Sequence, residues 1–506
     1  MKKANLTSDS LFKNKYALHF LEIYRPLWAL GHAGSLLSWD SETYMPSSGV
    51  EQRAVALSEL KILERKLFLD KHFLQTIQKL KNQKRLNVFE KGLSRVVLRS
   101  LKIYQKVPEK VLKEFTKITE EAKPVWRNAR ANNDFKIFMP YLEKIFNFSR
   151  EIADYLEYEK HPYDALLDLY EEETTVADFD RLFKKIIPVS KKILEKNRTI
   201  DDKIEALENK KYEKQKLEKI NLEILSMLGF DNSRMRLDIS THPFTQEISL
   251  NDIRITTRYE GKNFKSTIFY CIHEFWHALY EIQIDPGLEF TPLASGVSYG
   301  VHESQSRFWE NIVGRSRVFC ELIYPLLAKE LNFIREYTSE EIYNYFNLVK
   351  PGFIRVNADE VTYNLHIFLR YEIEKSILEE KISIKEIPAV WESKMQELLG
   401  LIPPSDTLGC LQDIHWSSGY IGYFPSYSLG TILAAQLKYA IEKDFNLDEA
   451  ISSKNFEKIR SWLKEKIHSK GAVYPPKKLI RLSLKEKITS DYFENYLKKK
   501  YLVYKI

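Results

Sequence analysis

Residues 273 to 277 read His-Glu-Phe-Trp-His, and they stand inside an apolar run, Ser266 to Glu281. Ile268, Ile272, Phe275, Trp276 and Leu279 recur at three- and four-residue steps, so the run predicts a helix largely wrapped in core. On that helix His273 and His277 are one turn apart and reach the same point, with Glu274 beside them. A lone histidine on an apolar face is ordinarily a core residue with one hydrogen-bond partner. Two of them plus a carboxylate need three separate buried partners, and one metal ion satisfies all three together.

A catalytic zinc takes three protein ligands and leaves its fourth position to water. A further His six residues after His277, with Gly at three, would supply the third, but Gln283 and Tyr280 stand there. The segment His302-Glu-Ser-Gln-Ser-Arg307, followed by Phe308, Trp309, Ile312 and Val313, again has helical spacing with an apolar face. Pro286, Gly287, Pro292, Gly296 and Gly300 lie between, enough for a turn and an antiparallel return. The expected ligands are therefore His273, His277 and Glu303, a two-His, one-Glu site.

Glycine and proline number only 17 and 18 in 506 residues, which favours long helices with few turns. The predicted fold is mainly α, a two-His, one-Glu helical metallopeptidase with a small sheet beside the metal helix. No repeat or Gly/Ser-rich linker divides the chain, so it reads as one domain, 1–506, with the metal site within 242–305. Residues 201–220 keep apolar positions at Ile204, Leu207, Leu217 and Ile220 and read as an exposed helix. Ile253 to Tyr259 is β-rich; as a strand beside the metal helix, its free edge would hydrogen-bond an extended peptide.

The 77 basic against 70 acidic residues leave a modest +7. Lys477-Lys478 and Lys498-Lys-Lys500 read as solvated faces, and no concentrated basic stripe or module points to nucleic acid. Cys271, Cys320 and Cys410 have no paired metal spacing and read as small buried hydrophobes. The first residues, Met-Lys-Lys-Ala-Asn-Leu, lack a following apolar stretch, and nowhere do 18 apolar residues run together. A cytoplasmic protein with no membrane contact is expected.

Six short motifs now carry a resemblance: His242-Pro-Phe; Asp252-Ile-Arg254-Ile-Thr256; His273-Glu274-Phe-Trp-His277; His302-Glu303-Ser-Gln305; Ile354-Arg355-Val-Asn-Ala-Asp359; and Gly409-Cys-Leu-Gln412-Asp413-Ile-His415-Trp416. In this order they resemble the thermostable carboxypeptidase (carboxypeptidase Taq) family of zinc metallopeptidases over nearly the whole chain. Leu37 to Pro46 and Gly422 to Tyr427 resemble it too, with substrate-end motifs falling within 354–427. The chain departs at Tyr170-Glu-Glu-Glu-Thr-Thr175, where relatives read Glu-Pro-Gly-Met-Thr, which bears on a loop and on no metal ligand.

The resemblance implies a homodimeric exopeptidase of zincin-like helical fold with a deep substrate groove, which removes residues from peptide C-termini, with one zinc per subunit and Co²⁺ or Mn²⁺ as alternatives. Glu274 is then the general base that takes a proton from water and delivers it to the leaving amine. His242 and Tyr423, with Tyr427 as the alternative tyrosine, are the expected oxyanion donors. Arg355 is the expected cation for the substrate's terminal carboxylate. Arg254, Gln412 and His415 are read as further substrate contacts. The rival readings are a zinc oligoendopeptidase or dipeptidyl carboxypeptidase, and a silent peptide-binding protein.

Overall fold

The computed structural model describes residues 11–197 and 200–503. The described residues form twenty-one α-helices and one three-stranded sheet. Helices such as Lys15–Thr43, Glu109–Asn132 and Phe135–Leu156 are long, as the scarcity of glycine and proline predicts. No helix among them is long and apolar enough to cross a membrane. Buried apolar side chains gather in two clusters. The larger spans Val107 to Tyr501, and the smaller ties Phe12, Phe20, Phe73 and Leu93 to Leu250, Leu288 and Val473.

The segment that carries His273 and His277 is a helix, Phe264–Ile282, in the larger cluster. Its apolar residues Ile268, Ile272, Phe275, Trp276 and Leu279 are all buried. A second helix, Tyr299–Arg307, carries Glu303 and runs on into a π-helical turn, Phe308–Val313. Trp276 of the first and Trp309 of that turn stack with centroids 3.4 Å apart and planes inclined by 2°, which fixes how the two helices meet. Behind Glu303 runs a third helix, Pro425–Asp444. Gly430 faces Glu303 so closely that a Cβ there would stand 2.5 Å from its Cγ.

The sheet order is β1 (Met235–Ile239), β3 (Asp252–Thr257), β2 (Thr245–Ser249), with β1 parallel and β2 antiparallel to β3. The strand predicted from Ile253 onward therefore has no free edge. Both of its edges are hydrogen-bonded, one to β1 and the other to β2, and Ile253 and Ile255 are fully buried. The edges belong to β1 and β2, and His32 of the first long helix reaches the Ile248 carbonyl of β2 at 2.9 Å.

Other expectations are also corrected. Residues 201–220 are not one exposed helix: Asp202–Glu205, a 3₁₀ turn Ala206–Asn209 and Lys214–Leu228 follow one another, with a bridge from Lys211 to Lys262. Tyr212 donates its backbone N–H to Gly261 and thereby breaks the helix, while Ile204, Leu207, Leu217 and Ile220 are buried. Lys500 is no solvated lysine. It is buried and donates to Glu360 at 2.7 Å, since a buried charge persists only when paired. The three cysteines are free and buried, as predicted.

The departing segment 170–175 closes a helix at Tyr170 and opens the next through a Thr175–Asp178 capping box. Glu171 between them is buried and accepts the N–H of Gly300 at the start of the Glu303 helix. A carboxylate suits a helix N-terminus, so this loop braces the helix that carries Glu303. Gly430→Ala is expected to force the Glu303 helix away, at a cost of about 1–3 kcal/mol. Chemical denaturation and chelator competition check both parts: lower stability together with weaker metal binding is the expected pair.

Candidate metal centre

His273 Nε2 and His277 Nε2 are 3.2 Å apart, and Glu303 Oε2 lies 3.5 and 3.4 Å from them. A tetrahedral ion with ligand bonds of about 2.0–2.1 Å places its ligand atoms about 3.4 Å from one another. Among the described residues this is the one group of three such side chains whose donor atoms converge in this way. Burial opposes charge on His273, but Glu303 and Glu310 outweigh it and raise its pKa, whereas burial pushes His277 down to about 3. The two directions differ because one positive charge, not two, fits between imidazoles so close. The donor set fits a divalent metal.

Each ligand is aimed by a partner. His273 Nδ1 faces Glu310 Oε2 at 3.0 Å, and Glu310 in turn accepts from Arg307 and Arg315. Burial opposes the Glu310 charge, yet Arg307 and His273 hold its carboxyl well below the usual range. His277 Nδ1 lies 2.5 Å from His302 Nδ1, and His302 Nε2 lies 2.7 Å from Glu281 Oε1. Glu303 Oε1 accepts from Arg307 Nε at 2.7 Å, and Ser306 Oγ lies 3.1 Å from its Oε2. Such partners fix the tautomer and the aim of the ligands. The π-helical turn matters here, because it carries Glu310 while the α-helical turn before it carries Glu303 and Arg307.

Glu274 is buried beside the triangle. The Thr245 hydroxyl of β2 sits 2.7 Å from its Oε2 and 2.9 Å from its backbone oxygen. Burial raises its pKa, and His273 and Thr245 temper the rise.

The Arg355 region lies across a wall of aromatic rings. Arg355 is buried; its Nε and Nη2 donate to Asp413 Oδ1 at 3.0 and 2.9 Å, and its Nη1 to Tyr363 at 3.1 Å. A guanidinium has five N–H groups, so one on each Nη stays uncommitted. Arg370 holds the other Asp413 oxygen. Tyr363 also lies under Arg307, at 4.3 Å. Tyr423, Tyr427 and His415 form one cluster, with His415 Nε2 3.3 Å from the Tyr427 hydroxyl. Burial first, and then the neighbouring phenols and Glu303, push Tyr423 upward, so it is a neutral O–H donor near the ligands. Burial and Arg355 push His415 down to about 3.

Gln412 and Arg254, expected substrate contacts, and His242, an expected oxyanion donor, lie as follows. Gln412 spends its amide on backbone: its Oε1 accepts Arg355 N–H at 2.9 Å, and its Nε2 faces the carbonyls of Phe353 and Gly409. It braces Arg355 instead of presenting a free group. Arg254 grips Asp252 through Nε and Nη2 at 2.9 Å each and covers the Trp39 ring at 4.4 Å. His242 is exposed on the loop between β1 and β2, outside the ligand triangle.

The family model described as carboxypeptidase Taq (M32) metallopeptidase matches residues 19–501. The chain belongs to this family. Thermostable carboxypeptidase 1 of Pyrococcus furiosus is 46% identical over 98% of this chain and 100% of that one. Carboxypeptidase 1 of Bacillus subtilis is 36% identical over 96% and 98%. A solved structure of the Pyrococcus furiosus carboxypeptidase superposes with a TM-score of 0.94, covering 97% of this chain and 100% of that one. As a member of the M32 family the chain is a metal-dependent carboxypeptidase, a hydrolase.

Sequence reading of this M32 chain missed Thr245, Glu281 and Glu310, and left His302 without a role. Only His302 carried a signal, being next to Glu303 in a matched motif; the others reach the site through folding. Asp413→Asn leaves Arg355 and Arg370 buried without their shared carboxylate and is expected to cost about 3–5 kcal/mol. Burial opposes the Asp413 charge, but the two arginines hold its carboxyl well below the usual range. Its stabilisation is therefore complete above an unfolded-state pKa of about 3.9 and is lost as pH falls below that. Thermal melts of both proteins against pH should show the gap between them shrink below about pH 4.

Proposed function

We propose that His273, His277 and Glu303 hold one zinc ion per subunit, with Co²⁺ or Mn²⁺ able to occupy the same ligands, and that the enzyme releases single residues from peptide C-termini. The ligand triangle, with its tetrahedral spacing and Glu274 alongside, carries this reading. A divalent ion there acts as a Lewis acid, polarising the scissile carbonyl and acidifying water. Glu274, desolvated and steadied by Thr245, takes the proton of the attacking water at its carboxylate and returns it to the leaving amine. Tyr423 offers a neutral O–H to the developing oxyanion, with Tyr427 as the alternative phenol and His242 reaching in from its exposed loop.

The terminal carboxylate of the substrate pairs with Arg355 through the two uncommitted N–H groups, a fork suited to a planar anion. Asp413 and Tyr363 hold that fork still, Gln412 fixes its backbone, and neutral His415 lines the approach. Arg254, over Trp39, gives the groove a second cation. The chain works as one domain and as a homodimer in the cytoplasm, where its three free cysteines stay reduced. Its partners are peptides, with neither nucleic acid nor membrane.

Mass spectrometry of an unblocked mixed-sequence peptide should show a ladder of single-residue losses from the C-terminus, abolished by chelator. Internal fragments or dipeptide losses would refute the exopeptidase reading, as would equal cleavage of C-terminally amidated peptides. Glu274→Gln should retain metal near stoichiometric levels while kcat falls about 10²–10⁴-fold, the share of a positioned general base. Metal analysis beside steady-state kinetics checks this, and full turnover in the variant would sink the assigned role.

A further inference from the structure

The helix Tyr363–Leu378 presents Tyr363, Arg370 and Glu374 on one face, seven and then four residues apart. The first two hold the Arg355–Asp413 pair. Glu374, fully buried on the same helix, has other partners. Its Oε1 accepts the indole N–H of Trp416 at 2.7 Å, and its Oε2 accepts the backbone N–H of Gly422 at 2.8 Å and the Tyr163 hydroxyl at 2.5 Å. One carboxyl thereby grips both ends of the turn that separates His415 from Tyr423.

Between those ends the backbone is irregular: a 3₁₀ turn, Trp416–Ser418, leads on to Gly422 in the left-handed region at φ +94°. A Cβ on Gly422 would stand 3.1 Å from the Leu166 carbonyl carbon, so this stretch lies pressed against the helix Pro162–Tyr170. Tyr423 follows at once, and the helix Pro425–Asp444 opens two residues later. The rings of Tyr170, Tyr299 and Tyr427 meet the Tyr423 ring edge-on, with centroids 5.3, 5.1 and 5.2 Å away. Edge contacts hold the tilt of a ring; how far its hydroxyl reaches is set by the backbone that carries it. The Trp416 and Gly422 N–H groups can only donate, and they arrive at different oxygens. A carboxyl group accepts on both, whereas an amide side chain offers one acceptor oxygen and turns its NH₂ against the other donor.

We propose that Glu374 is a positioning residue for the oxyanion donor: by clamping Trp416 and Gly422 it fixes where the Tyr423 hydroxyl stands. The inference rests on the role given to Tyr423 above. Glu374 itself touches neither substrate nor metal and acts through the turn.

The test is a double-mutant cycle of Glu374→Gln and Tyr423→Phe in the metal-loaded full-length protein, with metal content and thermal melts showing that each variant is loaded and folded. Tyr423→Phe should lower kcat about 10²–10³-fold, the share of one oxyanion donor. Glu374→Gln should lower it about 10²-fold with KM little changed, the cost of misplacing a group by about 1 Å. The double variant should be no slower than Tyr423→Phe alone, since a hydroxyl already removed cannot be misplaced. Losses that multiply in the double variant, or an unchanged kcat in Glu374→Gln, overturn the proposal. The inhibition constant of a phosphonate peptide, whose tetrahedral oxyanion mimics the transition state, gives a second reading: it should rise in Glu374→Gln as kcat falls, and a constant value beside a lowered kcat overturns the proposal. Should Glu374→Gln fail to fold, Trp416→Phe takes its place, keeping a ring while removing the N–H to Oε1; the same non-additivity is expected, and multiplying losses again overturn the proposal. Full turnover in Tyr423→Phe sinks the oxyanion reading and the positioning role with it, whereas multiplying losses sink the positioning role alone.

Discussion

Three atoms of ligand type meet in a buried spot of this protein: Nε2 of His273, Nε2 of His277 and Oε2 of Glu303. Leaving such atoms together without a cation is expensive in a low-dielectric interior. Much of the surrounding architecture serves to hold that convergence. The Trp276–Trp309 stack sets the meeting of the two helices, Gly430 lets the third helix close behind Glu303, and Glu171 caps the helix that carries it. Glu310 and His302 fix the rotation of the imidazole rings.

The same constraint extends towards Arg355. Glu303 accepts from Arg307, Arg307 covers Tyr363, Tyr363 accepts from Arg355, and Arg355 shares Asp413 with Arg370. Along this line each buried ion has a partner of opposite sign or a ring face beside it. On the proposed reading, a rigid line of this kind holds the distance between the reacting bond and Arg355, the anchor proposed for the carboxylate. That distance separates an exopeptidase, which needs both ends in register, from an endopeptidase, which needs one.

Much of the centre was legible in the order of residues. A helix repeats every 3.6 residues, so positions 273 and 277 had to share a face, and the apolar residues between them had to turn inward. The turn-rich interval before Glu303 pointed to a second helix returning to the first, and that is how the chain runs. Edges and partners were not legible. The strand at Asp252–Thr257 turned out to be central, Lys500 to be buried, and Gln412 to be spent on backbone, because each outcome depends on what arrives from a distant part of the chain.

Sequence by itself determined the helical class, the family, the ligand types and their local geometry, since these follow from backbone periodicity and the chemistry of a few side chains. Tertiary structure alone decided which protons point where. Thr245 against Glu274, Glu310 against His273 and Glu281 against His302 are contacts between residues far apart in the chain. No short-range pattern encodes them, because hydrogen bonds and burial act through distances of a few ångströms in space, and folding alone makes those distances short.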